Sequence, residues 1–224
     1  MKDINNVTVE VAGPRHLKYV DVINDHIDMA SKQRGTGIAR RTYEYLASKM
    51  EEGKAIIALD GEEFAGFCYI ETWGTAQYVA NSGLIVNPDY RGIGLAKEIK
   101  KKAFQLSRTR FPNAKIFGLT TGLAVMKINH QLGYRPVTYS ELTDDDSFWK
   151  GCQGCVNYDI LQRTGRSKCL CTGMLYDPAW ELEKNGNTSE IKKRSLLDYM
   201  KKLHPKYALE LLKKFRDNKE KNGK

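Results

Sequence analysis

The sequence predicts an α/β protein built on one mixed sheet. Three observations predict it. Late in the chain, strand-like and helix-like segments alternate. In the middle, three strand-like segments follow one another with only short turns between them. A Gly-x-Gly turn then joins the third of these strands to an amphipathic helix.

The elements follow in order. Val7 to Val11 alternates apolar and polar residues, as a half-buried strand does. His16 to Gln33 carries one helix or two and ends at Arg34-Gly35-Thr36-Gly37. Ala39 to Glu52 is again helical, and Gly53 terminates it. Lys54 to Leu59 and Glu63 to Trp73 are strands around the turn Asp60-Gly61-Glu62, a hairpin signal. Tyr78 to Val86 is a third strand, stopped by Asn87-Pro88. Leu95, Ile99, Ala103 and Leu106 form the stripe of a helix from Leu95 to Ser107. A strand from Lys115 to Thr121 and a helix from Leu123 to Leu132 follow, with Gly133 closing the helix. Tyr134 to Leu142 reads as the last strand. The expected division is a catalytic-type α/β domain over 1–143, a cysteine-rich segment over 144–183 and a basic helical tail over 184–224.

Composition removes several function classes. The chain has 224 residues, 41% of them apolar, enough for one well-buried core and too many for a disordered chain. No apolar run approaches the ~20 residues of a membrane-spanning helix, so no membrane partner is expected. The first residues, Met1 to Asn6, lack an apolar segment behind their charge. A cytoplasmic, thiol-reducing location is therefore expected. The net charge is +9, yet 13 basic and 5 acidic residues of Lys184 to Lys224 supply +8 of it. The remaining 23 basic and 22 acidic residues nearly cancel, so the body is not a basic nucleic-acid binder.

Arg91-Gly92-Ile93-Gly94-Leu95-Ala96 lies between a strand and a helix. Glycines let the backbone turn tightly and approach a ligand, and the helix offers unpaired N–H groups at its positive end. Arg91 adds charge, so the segment suits a pyrophosphate. It is neither a Walker loop nor the dinucleotide fingerprint, because the Lys-Ser/Thr pair and a third glycine are missing.

This loop resembles the signature Arg/Gln-x-x-Gly-x-Gly/Ala of the GNAT superfamily of acyl-CoA-dependent N-acyltransferases. Leu84-Ile85-Val86 and Pro88 precede it as in that family. Asn129-His130-Gln131-Leu132-Gly133-Tyr134-Arg135 is similar to the family's later helix ending in Leu-Gly-Phe/Tyr. The element order agrees, and the resemblance spans about Val7 to Leu142. It implies the GNAT fold, with a Cys-rich insertion and a helical tail added. It implies acetyl-CoA or another acyl-CoA as co-substrate, with pantetheine along Leu84, Ile85 and Val86 and pyrophosphate on the amides of Arg91, Gly92, Ile93, Gly94, Leu95 and Ala96. An amine then attacks the thioester directly in a ternary complex, its carbonyl polarised by a backbone N–H near Leu84.

The acid and base depart from the family's pattern. The position of its usual tyrosine acid is Asn129, and an asparagine common earlier in that helix is replaced by Gly122. Asn129 contributes at most a hydrogen bond to ligand or thiolate, or only caps the helix; Tyr134 or water is then the proton source. Glu71, ending a central strand, is the candidate base, against the plainer reading of an exposed edge carboxylate. Arg34, Arg40 and Arg41 flank a loop that covers the acceptor in the family, where arginines clamp carboxylates bidentately.

Cys152-x2-Cys155 and Cys169-x-Cys171 match the count for a tetrahedral structural zinc site, with free thiols and a disulfide as the alternatives. In the tail, Leu196, Met200 and Leu203, then Ala208, Leu211, Leu212 and Phe215, mark two amphipathic helices. They are expected to pack on the body or on a second subunit of a homodimer. RNA and an acidic membrane surface are the other surfaces such a tail fits.

The expected function is transfer of an acetyl, or another short acyl such as succinyl, to a primary amine of a small metabolite. A looser similarity to bacterial GNAT proteins associated with arginine biosynthesis implies the α-amino group of glutamate as acceptor. The competing readings are acylation of a protein or RNA-borne amine docked by the tail, and an inactive GNAT-fold binding module.

Overall fold

The computed structural model describes residues 2–34 and 40–184. The tail helices expected beyond Ser189, and Gly35 to Gly37 of the glycine loop, lie outside the described residues. The chain divides into two compact units, Met1–Asp177 and Pro178–Lys224. In the second, the described part is one short helix, Ala179–Lys184.

The first unit is a seven-stranded sheet with helices on both faces. Its strands are β1 (Val7–Val11), β2 (Ala55–Asp60), β3 (Glu63–Thr72), β4 (Tyr78–Val86), β5 (Lys115–Thr120), β6 (Arg135–Val137) and β7 (Thr172–Tyr176). Its helices are α1 (Val20–Arg34), α2 (Tyr43–Glu51), α3 (Leu95–Arg110), α4 (Leu123–Gln131), α5 (Asp146–Lys150) and α6 (Tyr158–Arg163). The strand order is β1-β2-β3-β4-β5-β7-β6. The β4–β5 pair is parallel and all other neighbours are antiparallel.

Sequence pattern explains the layers. In β2 and β3 successive side chains point to opposite faces, and nearly all are buried, so both faces are covered. Ile57, Phe67 and Tyr69 meet Val20, Ile23 and Ile27 of α1 and Leu46 and Met50 of α2 in one core. Ile56, Cys68 and Ile70 meet Leu95, Ile99 and Ala103 of α3 in the other. The Thr42 hydroxyl caps α2 by accepting from the Tyr45 N–H at 3.2 Å.

The mixed sheet expected from the sequence is present, with two differences at its far edge. The last expected strand shortens to β6, because Thr138 starts a capping-box turn in which Glu141 accepts from its N–H at 2.9 Å. Strand β7 was not anticipated. Its run Thr172-Gly-Met-Leu-Tyr follows the Cys-x-Cys pair and inserts between β5 and β6.

One feature of β4 shapes the molecule. It pairs with β5 only at Tyr78–Lys115, Val79–Ile116 and Ala80–Phe117. Beyond that point β4 continues to Val86 and β5 to Thr120 without pairing. On its other side β4 stays bonded to β3 but slips: Phe67 faces Ile85 and Tyr69 faces Ser82, so Cys68 alone lies opposite Gly83 and Leu84. This bulge bends β4 where it leaves β5. Gly83 has φ +69°, and a Cβ there would sit 2.4 Å from the Tyr69 ring. Gly83→Ala is therefore expected to cost about 1–2 kcal/mol from the backbone alone. Displacement of Tyr69 adds to that, and a denaturant midpoint unchanged from the parent would contradict it.

Candidate active site

A cleft of about 450 Å³ opens where β4 and β5 part. Asn81 to Leu84 form one wall and Gly118 to Thr120 the other. Val125 and Asn129 of α4 and the Ser147–Cys155 segment also line it. Arg41, Tyr45, Glu71 and Trp73 complete the wall. Of the three expected pantetheine residues, Leu84 lines the cleft; the Ile85 side chain is buried in the core, and Val86 packs on the opposite core. What β4 offers a ligand is thus its unpaired backbone edge.

Between β4 and α3 the chain makes the glycine turn that the sequence predicts. The Asn87 amide donates to Phe64 O at 2.9 Å, and the fully buried Tyr90 donates its hydroxyl to Asp60 at 3.0 Å. These two bonds fix the root of the loop. Arg91, Gly92 and Gly94 then stand exposed, while Ile93 and Leu95 pack into the core. Gly94 caps α3 with φ +88° and offers no side-chain acceptor, so the first turn of the helix is not capped by a side chain. A Cβ on Gly92 or Gly94 would meet nothing within 4 Å, which leaves room for a phosphate.

Glu71 lies on the cleft wall, as expected, but it is held. Lys49 donates to its Oε1 at 2.8 Å, and the Tyr45 hydroxyl donates to its Oε2. Burial, then the Tyr69 and Glu71 neighbours, push the Tyr45 phenol well above its ordinary range, so it stays protonated. The three arginines separate. Arg40 is taken by Asp28 at 2.6 Å, and the Arg34 side chain lies outside the described atoms. Arg41 faces the cleft, half-buried; its Nε donates to the Tyr69 hydroxyl at 3.3 Å, its guanidinium lies 5.8 Å from the Tyr45 ring centre, and its terminal nitrogens have no hydrogen-bond partner among the described residues. Trp73 and Phe148 meet edge-to-face at 5.3 Å beside them.

Asn129 lines the cleft at 1% exposure, and its Oδ1 has no partner among the described residues. Tyr134 is fully buried, is absent from the cleft wall and gives its hydroxyl to Asn81 Oδ1 at 3.2 Å. Burial, with Cys68 and Tyr176 beside it, pushes its phenol far up. The sequence reading of Tyr134 as a proton source near the thiolate therefore loses its direct line to the cleft. A residue that reading missed stands there instead. Lys100, on the core face of α3, lines the cleft at 2% exposure and donates to Asn81 Oδ1 at 3.4 Å. Its place directly after Ile99 of the core stripe is the sequence signal that could have found it.

The four clustered cysteines do converge. Cys152, Cys155, Cys169 and Cys171 all line a second cavity of about 30 Å³, and three of them also face the main cleft. All are free thiols. Burial and the neighbouring cysteines push Cys152 up to about 11 and Cys171 up to about 12. The expected zinc site finds no support as the thiols stand: among the described residues no group of three or more His, Cys, Asp or Glu is arranged to hold a metal. Among them, too, no helix is long and apolar enough to cross a membrane.

Residues 21–130 match the model of the acetyltransferase (GNAT) family. No curated protein matches the chain by sequence. Solved structures share its fold. N-acetylglutamate synthase from Neisseria gonorrhoeae, complexed with coenzyme A and N-acetyl-glutamate, is 14% identical with a TM-score of 0.53. That alignment covers 76% of this chain and 35% of the synthase chain, so the likeness spans about a third of that protein. A Mycobacterium tuberculosis protein in complex with CoA is 14% identical, TM-score 0.55, covering 76% of this chain and 98% of its own. A mosquito arylalkylamine N-acetyltransferase-like protein is 14% identical, TM-score 0.51, with 76% and 99% coverage.

The open space over the loop gives a direct test. Gly94→Asp puts a carboxylate where a phosphate would sit, at the positive end of α3. The Kd for CoA, read by calorimetry, is expected to rise at least about tenfold, the equivalent of 1.4 kcal/mol. An unchanged Kd would remove the loop from the cofactor site.

Proposed function

Because residues 21–130 belong to the acetyltransferase (GNAT) family, we propose that the chain transfers an acetyl group from acetyl-CoA to the primary amine of a small metabolite. The observation that carries this reading is the unpaired edge of β4, open to a 450 Å³ cleft and followed directly by the phosphate loop. Pantetheine extends that edge as an added strand over Leu84 to Val86, and the pyrophosphate takes the amides of Arg91 to Ala96. A β4 N–H near Leu84 polarises the thioester carbonyl, and the Asn129 side chain hydrogen-bonds the pantetheine beside it. The amine attacks in the ternary complex. Glu71 draws its proton through spare lone pairs or through the Tyr45 hydroxyl, while Lys49 keeps the carboxylate in place.

The acceptor in this reading carries a carboxylate. Arg41 presents terminal nitrogens without a hydrogen-bond partner among the described residues, and Lys150 lines the same cleft. An α-amino acid fits, glutamate first among them, with its side chain along Trp73 and Phe148; acetyl is the default acyl group and succinyl the alternative. Free-thiol release from acetyl-CoA and succinyl-CoA with a panel of amino acids and polyamines tests it. Turnover is expected with an amino acid. Arg41→Ala is expected to raise the acceptor KM about ten- to hundredfold, the worth of a charged hydrogen bond, and to leave CoA affinity alone. Preference for an amine without a carboxylate would sink the acceptor assignment.

The cysteines support a second, structural proposal. Four thiols around one 30 Å³ cavity have the number and softness for Zn²⁺ once they turn to a common point and lose their protons. Protein purified without chelator is then expected to carry about one zinc per chain by elemental analysis. Four freely titrating thiols and no zinc would leave them as packing residues.

A further inference from the structure

Acyl transfer leaves a thiolate that needs a proton, and the family's tyrosine position holds Asn129. The surroundings of Lys100 bear on that need. Its ammonium is buried at 2% exposure on the cleft wall. No carboxylate among the described residues pairs with it. Its one hydrogen bond, to Asn81 Oδ1 at 3.4 Å, is long, and Asn81 Oδ1 is already shared with the Tyr134 hydroxyl at 3.2 Å. Asn81 cannot turn to offer more, because its Nδ2 donates to Ser107 Oγ at 3.0 Å and Ser107 in turn donates to Ala103 O at 2.8 Å. Lys100 also lies 5.6 Å from the Tyr134 ring centre.

The titratable groups around it come from every packed element: Cys68 on β3, Tyr134 after α4, and Tyr176 on β7 behind Tyr134. Cys68 gives its thiol proton to Ser82 O at 3.2 Å, and burial keeps it a neutral thiol. Among the described residues the Lys100 site is therefore polar and without an anion, and two of its ammonium hydrogens have no hydrogen-bond acceptor there. Burial also lowers the Lys100 ammonium from its ordinary range, with Cys68 opposing. A lysine shifted this way gives and recovers a proton more readily than a surface lysine.

We propose that Lys100 is the proton donor to the departing CoA thiolate. The step rests on the acyl-transfer reading above. The carbon–sulfur bond of the tetrahedral intermediate breaks and its electron pair goes to sulfur. The Lys100 ammonium gives one proton to that sulfur, forming CoA thiol, and becomes a neutral amine. The acceptor enters as an ammonium and gives its first proton to Glu71 before attack; the second, lost as the nitrogen becomes an amide, returns Lys100 to its ammonium. Asn81 is a positioning residue that holds the Lys100 side chain against the wall.

Lys100→Met keeps the volume and removes the buried charge, so the fold is expected to survive. With acetyl-CoA its kcat is expected to fall about 10²-fold, with acceptor KM and CoA affinity unchanged. With an acetyl thioester of an aryl thiol, whose anion leaves unprotonated, the loss is expected to shrink below about tenfold. A purely structural role would lower both rates equally. A second readout needs no acceptor: the thiol of bound CoA is titrated by thiolate absorbance. In the parent it is expected to ionise about one unit below an ordinary thiol, near 8.5, and in Lys100→Met to return to it. A kcat within threefold of the parent, equal losses with both donors, or an unmoved thiol titration overturns the assignment. Parent protein that binds CoA without turning over any acceptor would sink the acceptor reading, and the thiol titration alone would then decide Lys100. Failure of the parent to bind CoA would end both.

Discussion

The parting of β4 from β5 is the constraint on which the rest of the molecule depends. Three paired positions hold the parallel strands together, and then hydrogen bonding between them stops. An open strand edge inside a sheet leaves backbone donors and acceptors without partners, which is costly unless water or a ligand meets them. The bulge opposite Cys68 makes the parting permanent, since Gly83 at φ +69° packed on Tyr69 cannot be ironed flat. From this one distortion come the cleft, its exposed edge and the direction in which β4 delivers the chain to the glycine turn before α3.

The fold was legible in the sequence wherever a period or a punctuation residue marked it. The meander around Asp60-Gly61-Glu62, the stripe of α3 and the glycines at 92 and 94 carried strong local signals. The far edge was not legible. Strand β7 is five residues long and sits next to paired cysteines, so its apolar run read as part of a cysteine segment. Its partner β6 is only three residues, and nothing local says that a strand from residue 172 slots between residues 120 and 135. Non-local pairing of this kind leaves no pattern in a short window.

The site followed the same division. The turn geometry of Arg91 to Ala96 was readable because backbone geometry, glycine and helix start are local properties. The roles of side chains in the cleft were not, because they depend on what lies across it. Glu71 looked like a free base until Lys49 and Tyr45, both from α2, were seen to hold its two oxygens. Arg40 and Arg41 are adjacent in sequence, yet one is tied to Asp28 and the other faces the cleft. Lys100 went unremarked in the sequence, although it sits next to Ile99 on the core side of α3. A charged residue at a core position conflicts with the local pattern, and such conflicts gather at functional sites.

The segment after α4 joins these two themes. It gives β7 to the sheet, and it gives Ser147 to Cys155 and Cys171 to the cleft wall. Trp149 anchors it: the ring is buried, its Nε1–H donates to Thr143 O at 2.8 Å, and Phe148 stacks edge-on against both it and Trp73. Across the turn, the Tyr139 hydroxyl donates to Cys171 O at 2.8 Å, so the start of β7 is tied to the same packing. Cys171 immediately precedes β7 and faces both cavities. Any shift in β7's register against β5 would move Cys171 and with it the wall facing Arg41. One stretch of chain therefore sets both the far edge of the sheet and this wall of the cleft.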